Sequence, residues 1–221
     1  MGAAARGGFY PPTFEVLVSV VVGYTVRRVE ASESSLVEAA RRLLNRELGE
    51  EIYPGSSLAL TADGGDRSAL FAALSLPSES LLGAAVVRIL QAGDEGYYER
   101  FGDLARRYAI EGAASLEAMA VEPGARRRGI GRALIKARLV FASSLGAGAA
   151  VAVSWLSGRD SSLGLFRALG FEESEAVAEF YREESVRDGW VCPVCQGPCG
   201  CSAILTAREI GGFAGKPGVR G

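Results

Sequence analysis

A layered α/β or α+β fold with mixed strand directions is predicted by three observations. Segments with strand-like alternation interleave with segments of helical spacing along most of the chain, a pattern that folds as helices packed on a sheet. Two apolar stretches, residues 68–75 and 81–90, flank the turn Pro77-Ser78-Glu79 and read as an antiparallel hairpin. The chain has 221 residues, 48% of them hydrophobic, enough for one sizeable domain with a buried core.

The elements follow in order. Residues 14–22 form an apolar run that contains Glu15 and falls far short of the roughly 20 apolar residues a spanning helix needs. The run reads as an extra strand or an untidy leader, and the protein is expected to be cytoplasmic, with no membrane partner. Residues 24–30 alternate as a short strand. Ser32 and Ser34 offer N-caps for a helix in which Leu36, Val37, Ala40, Leu43 and Leu44 recur at helical spacing. After the hairpin, residues 91–114 turn polar and glycine-bearing, with Tyr97, Tyr98 and a short helix to Arg107, and are expected to be a surface insertion. A strand over 116–121, a helix over 129–145 and a strand over 149–155 come next. A helix over 161–169 follows, stopped by Gly170 in the left-handed conformation. Alternation over 175–181 predicts a strand at 176–180, and residues 202–208 are strand-like again. The organisation expected is an N-terminal extension over 1–22, one domain over 23–210 and a flexible glycine-rich tail over 211–221.

Composition excludes whole classes of chemistry. The sequence has no histidine, which removes Ser-His-Asp and Cys-His nucleophiles, histidine-liganded metals and histidine acids or bases. Proton transfer must run through a carboxylate, tyrosine, cysteine, lysine or water. A formal charge of −2 argues against nucleic acid as a partner, because counterion-release affinity needs clustered positive charge. Lys136 and Lys216 are the only lysines among 24 basic residues. An arginine excess fits oxyanion binding, and it equally fits the base composition of a genome.

The informative stretch is VEPGARRRGIGRALI, residues 121–135. A strand end, a proline, three arginines and Gly129-Ile130-Gly131 stand directly before an amphipathic helix. Glycines let the backbone curl its N–H groups inward, and a helix N-terminus adds partial positive charge at the same place. This is the chemistry of a diphosphate cradle. A Walker loop needs a Lys-Ser/Thr pair that is absent here, and a dinucleotide fingerprint needs a third glycine or alanine where Leu134 stands. A plain strand-to-helix turn with solvated arginines is the remaining structural alternative.

The segment from Arg126 to Gly131, preceded by Val121-x-Pro123, resembles the acetyl-CoA motif of the GNAT superfamily of N-acetyltransferases. A second signature, Leu165-Phe166-Arg167-Ala168-Leu169-Gly170-Phe171, is similar to that family's Leu-Tyr-x-x-Leu-Gly-Phe. The resemblance extends over residues 24–208 in element order and is specific over 117–171. It implies a mixed, mostly antiparallel sheet flanked by helices, with a splayed pair of strands. It also implies acyl-CoA-dependent transfer, most simply of acetyl from acetyl-CoA to a primary amine of a small molecule or protein. Backbone N–H groups of Arg127, Arg128, Gly129, Ile130, Gly131 and Arg132 would hold the diphosphate, with the Arg126 side chain in support. Met119, Ala120 and Val121 would pair with the pantetheine arm, and the next strand, 149–155, would splay away to admit the acyl group.

By the same resemblance Glu117 falls where many members carry the base that deprotonates the amine, although a surface glutamate at a strand edge is an equal reading. The sequence departs from the family at the acid. Phe166 replaces the usual tyrosine, Ser162 replaces an alanine, and Arg159, grouped here with the coenzyme contacts, stands at the position of an asparagine. Tyr181 is a candidate substitute proton donor from the far wall of the acceptor site, with a core or surface tyrosine the favoured competing reading, or else water protonates the thiolate. The same departures support a rival reading, a catalytically inactive fold that binds CoA or a protein partner. Glu172, Glu173, Glu175, Glu179, Glu183 and Glu184 either line an entrance suited to a cationic acceptor or form a solvated face.

All four cysteines fall close together, Cys192-x2-Cys195-x3-Cys199-x-Cys201, in a turn-rich knuckle over 190–203. Soft thiolates at this spacing suit a closed, structural zinc site. Disulfides and a redox role remain the alternatives.

Overall fold

The computed structural model describes residues 18–21, 23–63, 67–156 and 162–211. Most of the expected N-terminal extension and nearly all of the expected tail lie outside them. Of the apolar run, Val18–Val21 forms strand β1. Then come β2 (Tyr24–Val29), helices α1 (Ser34–Leu48) and α2 (Ser57–Ala62), and the hairpin β3 (Ser68–Ser75) and β4 (Leu81–Ile89). A 3-10 helix over Asp94–Phe101 and helix α3 (Asp103–Tyr108) lead into β5 (Ala114–Ser115) and β6 (Met119–Val121). The chain continues through α4 (Ile130–Ser144), β7 (Ala149–Leu156), α5 (Leu163–Ala168), β8 (Glu172–Glu173), α6 (Arg182–Asp188) and β9 (Ser202–Glu209).

The strands form one nine-stranded sheet in the order β1-β2-β3-β4-β5-β7-β9-β8, with β6 also paired to β4. Every pairing is antiparallel except that of β5 with β7. Strand β3 is buried along nearly its whole length because successive side chains point to opposite faces and both faces are covered. Ala69, Phe71 and Ala73 face the core under α4. Leu70, Ala72 and Leu74 meet Val37, Leu43, Leu44 and Leu58 of α1 and α2.

The structure corrects several expectations. Neither Ser32 nor Ser34 caps α1. Glu33 occupies the cap position, where its carboxylate accepts from the Glu30 amide at 2.9 Å and pairs with Arg27 at 2.6 Å. Residues 91–114 are no surface insertion: Tyr98, Phe101, Leu104 and Ala105 are buried against Val151 of β7 and Leu205 of β9. The polar residues of that stretch occupy its outer face, so composition hid an amphipathic layer. Of the strand expected over 116–121 only Met119–Val121 forms, as β6; residues 116–118 separate it from β5 at Ala114–Ser115. Residues 176–180 are not a strand; a single bridge, Val177 to Ala203, is their only ladder contact. The short strand lies earlier, at Glu172–Glu173, and is followed by a helix, α6, that sequence reasoning missed.

Tyr98 shows how the inserted layer is tied to the sheet. Its hydroxyl is buried and bonds Ser115 Oγ at 2.9 Å, and burial first of all pushes the phenol up to about 12. Tyr98→Phe would orphan the serine hydroxyl, so a loss of about 1–2 kcal/mol is expected, read as a lowered thermal unfolding midpoint.

Candidate active site

The break between β5 and β6 creates the site. Ser115 still pairs with Val151 of β7, and the Leu116 amide still donates to Val151 O at 2.8 Å. Beyond that point the chain bulges and follows β4 alone, with Met119 opposite Ala85 and Val121 opposite Gly83. Strand β7 continues with β9 on its other side. The two strands therefore fork, and Glu117 stands at the fork.

The segment after β6 curls tightly. Arg127 and Gly129 both adopt left-handed backbone angles, φ +61° and +84°, a conformation that costs a residue other than glycine on the order of 1–3 kcal/mol and tends to cluster at functional sites. Arg126 braces the curl by donating to Val121 O at 3.1 Å and to Glu47 at 2.6 Å. Ala133 is the first residue of α4 to find a main-chain acceptor, Gly129 O at 3.0 Å. The amides of Ile130, Gly131 and Arg132 thus lie at the open end of α4 with no acceptor among the described residues. Open amides and the positive end of the helix dipole together suit an anion. A Cβ at Gly131 would come within 2.9 Å of Leu165 Cδ1, so glycine keeps the floor open there.

A cavity of about 1120 Å³ joins the curl to the fork. It brings together Met119, Ala120, Val121, Arg126, Arg127, Gly129, Ile130, Gly131 and Arg132 with Glu117 and Tyr181. Arg128 is the exception: its guanidinium reaches back toward Gly23, and it does not line the cavity. Arg159 lies outside the described residues. Phe166 is buried at the cavity wall and packs edge-on against Phe171, ring centres 5.0 Å apart.

The carboxylates at the fork differ in environment. Glu117 accepts from Arg88 Nε at 2.7 Å, and Arg88 also pairs with Asp94 at 2.5 Å. Glu184, carried into the cavity by α6, is partly buried, and burial raises its carboxyl above the ordinary range, with the Asp188 charge adding to the effect. The Tyr181 phenol is raised by burial as well. Glu184 was singled out in the sequence only within an acidic run, because helix α6 itself went unrecognised. Arg138 and Tyr53, which also line the cavity, carried no local signal.

The knuckle forms one wall. Its four sulfurs lie within 4.8 Å of one another and all four thiols are free. Amides turn toward them: Cys195 N donates to Cys192 Sγ at 3.3 Å and Gly200 N to Cys195 Sγ at 3.4 Å. Cys199 N is anchored to Ser185 Oγ of α6 at 2.8 Å. The cysteines pack with Trp190, Trp155, Tyr181 and Val194, and those four residues line the cavity.

Residues 92–173 match the family model described as acetyltransferase (GNAT) domain. Among solved structures, the ribosomal-protein-S18-alanine N-acetyltransferase from Escherichia coli is similar at 19% identity and a TM-score of 0.57, over 89% of this chain and 99% of that one. A mosquito arylalkylamine N-acetyltransferase, like 5b, is also 19% identical, with a TM-score of 0.62 over 84% and 99%. A GNAT superfamily phosphinothricin acetyltransferase from Sinorhizobium meliloti, solved in complex with AcCoA, is 22% identical, with a TM-score of 0.55 over 89% and 94%. No curated protein matches the sequence. The forked sheet defines the class, a GNAT-type α/β fold. The matched segment falls within the stretch whose motifs resemble that family, and the solved structures share the fold. Among the described residues no helix is long and apolar enough to cross a membrane.

Proposed function

We propose that the protein is an acyl-CoA-dependent N-acyltransferase that passes acetyl from acetyl-CoA to a primary amine. The observation that carries this reading is the convergence of the open amides of Ile130, Gly131 and Arg132 and the β6–β7 fork on one cavity. The amides would hold the coenzyme's diphosphate, the β6 edge would pair with its pantetheine arm, and the fork would receive the acyl group.

The chemistry needs a neutral amine, a stabilised oxyanion and a proton for the departing thiolate. Glu117, held by Arg88 Nε at 2.7 Å, draws the cationic amine toward the fork. Glu184, whose carboxyl burial raises above the ordinary range, takes the ammonium proton, directly or through water. The amine nitrogen then attacks the thioester carbonyl carbon, a main-chain N–H of 119–121 steadies the oxyanion, and the carbon–sulfur bond breaks. Tyr181, whose phenol is raised by burial, is the proton donor to the sulfur and regains a proton from the attacking nitrogen as the amide forms.

The knuckle fits a tetrahedral ion. Metal–sulfur bonds of about 2.3 Å set sulfur separations of about 3.8 Å, against 3.6 Å between Cys195 and Cys201. Burial pushes the Cys199 thiol up to about 12, and the neighbouring thiols resist its ionisation. A divalent cation offsets that crowding. Four thiolates would leave no open position, so Cys192, Cys195, Cys199 and Cys201 would hold a zinc ion that braces the wall of the acceptor site and supplies no chemistry to the reaction.

Phe166 favours a second reading, a module that binds CoA without turnover. Free-thiol release from acetyl-CoA, measured with a panel of amines, separates the two. The enzyme reading expects amine-dependent release, and CoA binding with no release under any amine supports the module.

A further inference from the structure

Arg138, which lines the cavity at the fork, has no role in that scheme. Arg138 is 0% exposed, and it sits on the apolar face of α4 among Leu134, Ile135, Phe141 and Ala142. A position of that register normally carries an aliphatic residue, and a guanidinium is among the least tolerated groups in a core. Among the described residues it forms no ion pair. Its Nη1 donates to Val86 O at 2.9 Å, its Nε to Leu134 O at 3.4 Å, and its Nη2 faces only the Met119 thioether at 3.4 Å.

The bulge explains part of this. Residues 116–118 leave Val86 opposite the gap between β5 and β6, so its carbonyl needs a donor from elsewhere. One amide or ammonium would meet that need. A planar group with five donors exceeds it, and a thioether is a poor acceptor for a cation. Burial lowers the guanidinium to about 9, still cationic at neutral pH, with Tyr53 and Glu117 the titratable groups that bear on it. Glu117 is already held by Arg88. Both Arg138 and Met119 line the cavity at the fork, and methionine is the side chain best able to swing aside.

We propose that Arg138 is a specificity residue which binds a terminal carboxylate on the acyl group of the donor, so that the protein prefers dicarboxylic acyl-CoA over neutral acyl groups of the same length. The inference rests on the donor reading above and extends it to the acyl chain. A carboxylate entering the fork would displace Met119 Sδ and take two parallel bonds from the guanidinium, the pairing that arginine geometry favours.

Binding to the intact protein tests this without knowledge of the acceptor. Calorimetric titration would use CoA, butyryl-CoA and succinyl-CoA. Succinyl-CoA is expected to bind about tenfold more tightly than butyryl-CoA. In Arg138→Gln, which keeps a donor for Val86 O, and in Arg138→Met, that advantage should fall below about twofold while CoA affinity is unchanged. If CoA binds and succinyl-CoA holds no advantage in the unaltered protein, the carboxylate proposal is overturned while the donor reading stands. An advantage that survives both substitutions also overturns it. Failure of CoA itself to bind would overturn the donor reading and this proposal with it.

Discussion

Stripping the zinc proposed for the knuckle, or replacing Cys199 by Ser, is expected to weaken acceptor turnover through a raised acceptor KM while leaving coenzyme binding largely intact. The cysteines carry Trp190 and Val194 into the cavity wall and anchor α6 through Cys199 N and Ser185, whereas the 127–132 curl is braced by Arg126 to Val121 and Glu47 on the opposite flank. Closed thiolate sites supply folding free energy outright, about 10–16 kcal/mol for zinc in small peptides. Their loss should melt the segment around residues 189–201 and expose Trp190, now 6% accessible. Elemental analysis should find one bound zinc per chain. Chelation should shift tryptophan emission to the red and raise the acceptor KM, and an unchanged emission and KM after complete metal removal would refute the structural role.

Glu184→Gln is expected to lower kcat by roughly 10²- to 10³-fold, the usual worth of a positioned base, with little change in coenzyme affinity. The sign of its pH dependence follows from the environment. Burial raises the carboxyl, so the basic form is depleted at acid pH, and activity should climb through a limb lying above the ordinary carboxylate range. The substitution should remove that limb. Glu117→Gln should instead raise the acceptor KM, because the carboxylate beside Arg88 attracts a cationic amine. If the limb vanishes with Glu117→Gln and survives Glu184→Gln, the two roles are exchanged.

What the sequence made legible follows from how local each signal is. The hairpin, helix α4 and strand β9 announce themselves through periodicity and turn residues, and the curl through its glycines. The fork does not, because residues 116–121, apolar except for Glu117, read as one continuous strand. The break at Leu116–Ala118 is decided by which neighbour each half pairs with, β7 or β4. Helix α6 escaped for a related reason. Arg182–Asp188 is charged and carries only Ser185 as a buried residue, so no apolar stripe marks it, and its position depends on the knuckle that follows. Glu184 and Arg138 share that invisibility. One lies in an acidic run and the other in an arginine-rich chain, and only three-dimensional placement separates them from a solvated face.

The claim on which all else depends is that main-chain amides around Gly129 and Gly131 hold the diphosphate of CoA. Calorimetric titration of the intact protein and of Gly129→Val tests it most directly. Valine cannot readily take φ +84°, so the curl must open. The account predicts saturable uptake of one CoA per chain, weakened by about tenfold or more in the variant. Absence of uptake by the unaltered protein, or full affinity retained by Gly129→Val, would contradict it.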